Sequence, residues 1–209
     1  MQRSDRLYGF LCLLPLLPAV AVPGLGVLVS LAIVILILIF VSQSRTPTLA
    51  LSQGHPFRKA LYGLGAGLLI AVASHVLIEP LIEQLTGHEI ELAGIGHVEG
   101  DLVNFLLLLT LGLLFGGIAE ELVFRGFVVG WGAAIFGDRA AIWLVLLSAT
   151  VFGLSHLYQG LAGVITTGLI GLSFGLLYLW NGRKLLVPVI AHMTVNAYGL
   201  TLMYLGLYF

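Results

Sequence analysis

Six polar residues stand where the sequence is otherwise apolar. The stretch GGIAEELVFRG, residues 116–126, carries Glu120, Glu121 and Arg125; FGLSH carries His156, and HMTVN carries His192 and Asn196. An ionisable group in hydrocarbon costs about 2.5–3.5 kcal/mol on insertion scales, so such residues face a partner or a water-filled cavity. A carboxylate beside a histidine, facing a second histidine and an amide, is suited to hydrolysis of a peptide bond. In that reading Glu120 accepts a proton from water, His156 assists or orients it, and His192 and Asn196 donate to the oxyanion. Two histidines and a glutamate are equally a zinc ligand set with one position open for water, which would be Glu120, His156 and His192. Residue types alone leave both open.

Spacing separates the roles of the two glutamates. Glu121 and Arg125 are one helical turn apart and can pair as ions, supporting the site rather than reacting. Glu120 points about 100° away from Glu121 and is free for other work. His192 and Asn196 also project side by side at i and i+4, and Phe152 lies one turn before His156, where it can pack beneath the ring. Glu120 and His156 are each 18 residues from Asp138 in the Gly137-Asp138-Arg139 turn, so an antiparallel hairpin brings them level. With Trp131, Trp143 and Trp180 as interface markers, the polar groups lie on the order of 12–20 Å inwards from the turns, at 1.5 Å per residue.

The elements that position these groups are membrane helices. The chain has 209 residues, 59% hydrophobic and 9% charged, with mean hydropathy +1.09, whereas soluble domains are roughly 25% charged. Runs long enough to span fall at 7–22, 25–41, 60–79, 102–130, 139–158, 160–180 and 185–208. The expected fold is therefore an all-α, polytopic transmembrane bundle of about seven spans with the active site inside the membrane. Pro23, Gly24 and Gly26 mark a tight turn between the first two spans, with Pro15 and Pro18 kinking the first. Arg3 and Arg6 ahead of an apolar core, followed by Ala19-Val20-Ala21, also fit a cleaved signal at 1–21; the uncleaved helix is the preferred reading, because another apolar run follows at once and the sequence begins at Met1.

Charge distribution orients the bundle. With seven spans, Arg3, Arg6, Arg45, Arg58, Lys59, Arg139, Arg183 and Lys184 share one face, while Glu79, Glu83, Glu89, Glu91, Glu99 and Asp101 gather on the other. The positive-inside rule then puts the N-terminus in the cytoplasm and the C-terminus outside. A net charge of −1 gives no field that favours nucleic acid. Cys12 is a packing residue, without a disulfide partner. The glycine pairs Gly112/Gly116, Gly126/Gly130 and Gly171/Gly175 let helices approach closely.

EELVFRG, FGLSH and HMTVN, in this order on successive apolar helices, resemble the CPBP (ABI) family of intramembrane proteases, which includes type II CAAX prenyl endopeptidases and bacteriocin-processing or immunity proteins. Its motifs Glu-Glu-x-x-x-Arg, Phe-x-x-x-His and His-x-x-x-Asn/Asp are all present. The resemblance covers about residues 102–200. The organisation read from it is an N-terminal segment, residues 1–101, with three spans and an acidic loop, and a catalytic bundle, residues 102–209, of four spans, together one compact membrane domain. It implies that Glu120 and His156 activate water, that His192 and Asn196 form the oxyanion hole, and that Glu121 and Arg125 support them. The glutamate-type mechanism without a metal cofactor is preferred, with zinc as the alternative.

The expected partners are the bilayer and a membrane-associated protein or peptide substrate, either prenylated or a peptide precursor, in a prokaryotic cell membrane. A non-catalytic immunity or binding protein, in which the polar cluster only holds helices together, is the rival; a transporter is weaker, since no internal repeat is found. His75 reads as a packing histidine, His55 as a loop residue, and His88 and His97 as members of a solvated acidic loop rather than a metal site.

Overall fold

A computed structural model describes residues 3–22, 25–92 and 97–208. These residues form helices joined by short turns, with no strand among them. The first arm breaks at a proline as expected: α1 covers Arg3–Leu13, Pro15 precedes α2, and α2 covers Leu16–Ala21. Ser30 of α3 (Gly26–Phe40) donates to the Pro15 carbonyl at 2.6 Å, which ties the two arms together at the break. Pro23 and Gly24, expected to make the turn, lie outside the described residues. Beyond α3 the chain bends by 117° into Ser42–Thr48, of which Arg45–Thr48 is α4. There Arg45 Nε and Nη2 donate to the Leu38 and Ile39 carbonyls, both at 2.7 Å. These are helix-end carbonyls that the bend leaves without backbone partners.

Two long helices follow, α5 over Pro56–Thr86 and α6 over Leu102–Phe136. Pro56 opens α5, where its missing N–H costs nothing, and Gly87 ends it at φ +69°. The Asp101 carboxylate caps α6, accepting from the Val103 and Asn104 amides. Most of α6, over Gly112–Glu120 and Leu122–Trp131, is hydrogen-bonded in the wide π pattern, which is uncommon and often marks functional segments. Then come α7 (Ala141–Leu154), α8 (Gly160–Trp180) and α9 (Leu186–Tyr204). Helix α7 stops earlier than the hydropathy suggests, because Ser155 Oγ and His156 Nδ1 both bond to the Phe152 carbonyl and draw it out of the helical ladder.

All seven apolar runs are helical over their described residues, and among these residues four helices are long and apolar enough to cross a membrane, or five if the bent pair 26–48 counts as one span. The run at 7–22 is divided by its proline, and α7 is short. Apolar side chains such as Leu69, Val76, Leu107 and Leu176 cover the outside of the bundle, as a lipid-facing surface requires. Inside, Cys12, Val34, Val123, Phe124, Phe127, Val128 and Phe152 make one core that joins the N-terminal hairpin to α6 and α7. Trp131 belongs to it as well. It is 2% exposed and packs on Phe127 and Tyr8, so it marks no interface, unlike the exposed Trp143 and Trp180.

Charge sorts to the two ends of the bundle. At one, Lys59 Nζ donates to Asn181 Oδ1 at 2.6 Å, Arg183 pairs with Asp138 at 2.8 Å, and the Leu185 and Leu186 amides bond to Ala50 and Leu51. At the other, the Glu91 amide bonds to the Gln159 carbonyl and the Gly100 amide to the Tyr204 carbonyl, both at 3.0 Å. Helices α5 and α9 run side by side in the same direction, because Gly63 faces Val187 and Ile190 while Gly67 faces Ala191 and Thr194.

Candidate active site

Helix α6 delivers Glu120, Glu121 and Arg125 into the space between α7, α8 and α9. Glu121 and Arg125 are 0% and 1% exposed and pair at 2.8 Å, Arg125 Nη1 donating to Glu121 Oε1. The second arm of the guanidinium donates to the Gly171 carbonyl of α8 at 2.6 Å. Its flat face lies 4.8 Å from the Phe152 ring centroid and 5.6 Å from that of Phe174, an arrangement that stabilises a cation where water is excluded.

The histidine of α9 stands between the two glutamates. His192 Nδ1 donates to Glu121 Oε1 at 2.8 Å, and its Nε2 faces Glu120 Oε2 at 3.7 Å, beyond hydrogen-bond length. Phe174 stacks on the ring at 4.6 Å, and Phe152 meets it edge-on at 5.8 Å. Glu121 thus has a second duty that spacing does not reveal: it holds His192 from 71 residues away. Asn196 Nδ2 donates to the Gly112 carbonyl at 2.9 Å. The amide lies flat on α6, and a methyl group at Gly116 would collide with it.

His156 sits at the end of α7 rather than in mid-helix. Its Nδ1 bonds to the Phe152 carbonyl at 2.8 Å. A carbonyl only accepts, so Nδ1 carries the proton and Nε2 presents its lone pair. The Phe152 ring lies 5.1 Å from the imidazole, in the supporting position that the spacing predicts. Glu120 and His156 together line a hollow of about 40 Å³ closed by Ser155, Tyr158, Ala19 and Val27. On its other side His156 joins His192, Asn196, Phe152 and Thr166 in lining a cleft of about 190 Å³. His156 is therefore the wall common to both spaces.

The fit of a metal ion can be tested on this geometry. Among the described residues no three His, Cys, Asp or Glu side chains are grouped to hold one. That includes Glu120, His156 and His192, and also His88 and His97 with their acidic neighbours.

His75, expected as a packing histidine, packs on Tyr198 and Tyr208, ring centroids 6.3 and 5.1 Å away, and lines that cleft with a polar set of its own. Its Nδ1 is 3.4 Å from Glu79 Oε2, which also accepts from Tyr208 O–H at 3.0 Å. Burial, and then the Glu79 carboxylate, hold the Tyr208 phenol above its ordinary pKa, so it stays a donor. Cys12 is buried, with its thiol 3.6 Å from the Phe127 and Val128 carbonyls, as a packing residue should be.

No curated protein and no solved structure gives a significant match to the chain. A protein family does, over less than half of the chain. Every polar group of the site falls inside the matched stretch: over residues 102–198 the chain matches the family of type II CAAX prenyl endopeptidases, Rce1-like.

Proposed function

We propose that this protein is a glutamate-type intramembrane endopeptidase, with Glu120 as the base. The observation that carries the reading is the small hollow shared by Glu120 and His156, whose volume of about 40 Å³ accommodates one water molecule. A water there donates one proton towards Glu120 and the other to His156 Nε2, which orients its lone pair. It attacks the carbonyl carbon of a peptide in the cleft at the edge of His156, where His192 Nε2 comes within 3.7 Å of Glu120, and Glu120 takes the proton released. The oxyanion that forms is met by the remaining N–H of Asn196 and by His192 Nε2 when protonated, Nδ1 being already held by Glu121. As the C–N bond breaks, Glu120 returns the proton to the leaving amine. Arg125 and Glu121 position His192 and touch no reacting atom.

CAAX endopeptidases handle membrane-associated peptides in which a C-terminal C-a-a-X sequence carries a prenyl group on the cysteine, and a prenylated peptide or a peptide precursor is the proposed substrate. The basic end of the bundle is assigned to the cytoplasm on the positive-inside rule, in a prokaryotic cell membrane. The test compares membrane peptides from cells carrying the intact protein with those carrying Glu120→Gln, alongside cleavage of a farnesylated CAAX-ended reporter by both purified proteins. Cleavage products present with the former and missing with the latter support the protease. Identical peptides, with the reporter intact in both, overturn it in favour of a non-catalytic binding protein.

A further inference from the structure

The cleft at His156, His192 and Asn196 adjoins an outer hollow of about 670 Å³ at the acidic end, lined among others by Glu83, His97 and Glu99. Both spaces are walled by the same six residues, His75, Glu79, Ile90, Leu92, Met203 and Tyr208. These six form a neck between them. Tyr208 O–H donates to Glu79 Oε2 at 3.0 Å, joining the tail after α9 to α5, and Ser74 Oγ donates to Glu79 Oε1 at 3.3 Å. His75 lies against the tyrosine, ring centroids 5.1 Å apart.

The inner cleft, at about 190 Å³, is smaller than the roughly 300–1,000 Å³ of ordinary ligand sites. It holds the scissile bond and little else, so the rest of a polypeptide must occupy an adjoining space. The outer hollow is large enough, and the neck connects it to the reacting groups. Its lining mixes hydrogen-bonding groups (His75, Glu79, Tyr208) with apolar ones (Ile90, Leu92, Met203), which suits an extended peptide: backbone amides on one kind of surface, side chains on the other. We propose that this neck is the port through which a substrate polypeptide reaches the cleft from the acidic end, with Glu79, His75 and Tyr208 as positioning residues and Tyr208 setting its width. The inference rests on the protease reading. It concerns residues outside 102–198 as well as within them, and the family match does not assign a route of entry.

A single introduced thiol tests it, because Cys12, the sole cysteine, is fully buried. The full-length Tyr208→Cys protein in detergent micelles is treated with a methyl-sized or a bulky thiol reagent, and each sample's cleavage of the farnesylated CAAX-ended reporter is compared with that of the same protein untreated. The bulky adduct should lower kcat/KM by about tenfold or more and the methyl-sized adduct by far less, the loss falling on positioning of substrate. In a Tyr208→Cys/Glu120→Gln protein, which leaves the reporter intact, saturating reporter should slow modification of the thiol by at least about threefold, as occupancy of the neck requires. Ile90→Cys repeats both measurements from another wall of the neck if the tail variant does not fold. Full cleavage after complete bulky modification, or modification rates indifferent to the reporter, would overturn the port. If the unaltered protein cleaves no reporter and its membrane peptides match those of the Glu120→Gln cells, the protease reading fails, and the rate of thiol modification still decides whether peptide occupies the neck.

Discussion

Replacing Glu121 with Gln removes one charge and almost no volume, and the structure says what that leaves behind. Arg125, 1% exposed, loses the negative charge beside Nη1; the Gln carbonyl still accepts from Nη1 and the Gly171 carbonyl from Nη2, but neither is charged. Breaking a buried ion pair from one side costs about 3–5 kcal/mol, because the other charge stays buried and uncompensated. The new amide adds to this: Glu121 Oε2 has no hydrogen-bond partner, so an NH₂ there is an unsatisfied buried donor at about 1–3 kcal/mol. The broken pair alone, at about 3–5 kcal/mol, moves the unfolding equilibrium by roughly two to four decades. The measurement is reversible unfolding in mixed micelles, followed by helical circular dichroism and repeated with Arg125→Met and with the double variant. Since removing both charges together is often neutral, the double variant should recover more than half of the loss; in it the Gln carbonyl still accepts from His192. Wild-type stability in Glu121→Gln, or additive losses in the double variant, would refute the view that this pair is held by charge compensation in a dry site.

Glu120→Gln should behave oppositely: cleavage falls by about 10²–10⁴-fold, the range expected on losing a general base, while the unfolding midpoint stays where it was, because the Glu120 carboxylate stands 3.7 Å from His192 Nε2 without a hydrogen bond to lose there. A Gly116→Ala protein places a methyl group against Asn196 Nδ2; it should lose about tenfold in kcat with a smaller change in KM, and about 1–3 kcal/mol of stability from overpacking, read by steady-state kinetics and unfolding on one preparation. Cleavage should persist after exhaustive chelation of the purified protein, with elemental analysis finding less than about 0.1 metal per chain, whereas a zinc enzyme loses both metal and activity together; recovery of activity only on adding zinc would sink the glutamate-type mechanism.

Local spacing carries the sequence reading a long way, and distance in the chain sets where it stops. The Glu121–Arg125 pair and the support of His156 by Phe152 are one-turn relations, visible to anyone counting residues. Symmetry about Asp138 also suffices to bring Glu120 and His156 to a common hollow. By contrast, the bond from His192 to Glu121 joins helices whose rotation about their own axes no hydropathy pattern fixes. The count of about seven crossings is not matched by long helices for a related reason. Hydropathy counts apolar residues and is blind to the Pro15 break, the 117° bend after Phe40 and the early stop of α7 at the Phe152 carbonyl. Trp131 misleads because tryptophan is common both at lipid headgroups and in cores; Tyr8, which covers it from another helix, is over a hundred residues away in sequence. Around His75, Glu79 is a one-turn neighbour and countable, whereas Tyr208, at the far end of the sequence, is not.

Two small side chains of the N-terminal hairpin, Ala19 and Val27, close the hollow beside Glu120, although neither lies in the stretch that bears the motifs. Transplanting residues 102–198 into another scaffold would therefore carry over the groups proposed to react but not the partition between them and the surrounding lipid. A hydrolase working in hydrocarbon depends on keeping its water in one place. For anyone seeking a minimal version of this protein, the first helical hairpin is the region that cannot be trimmed away.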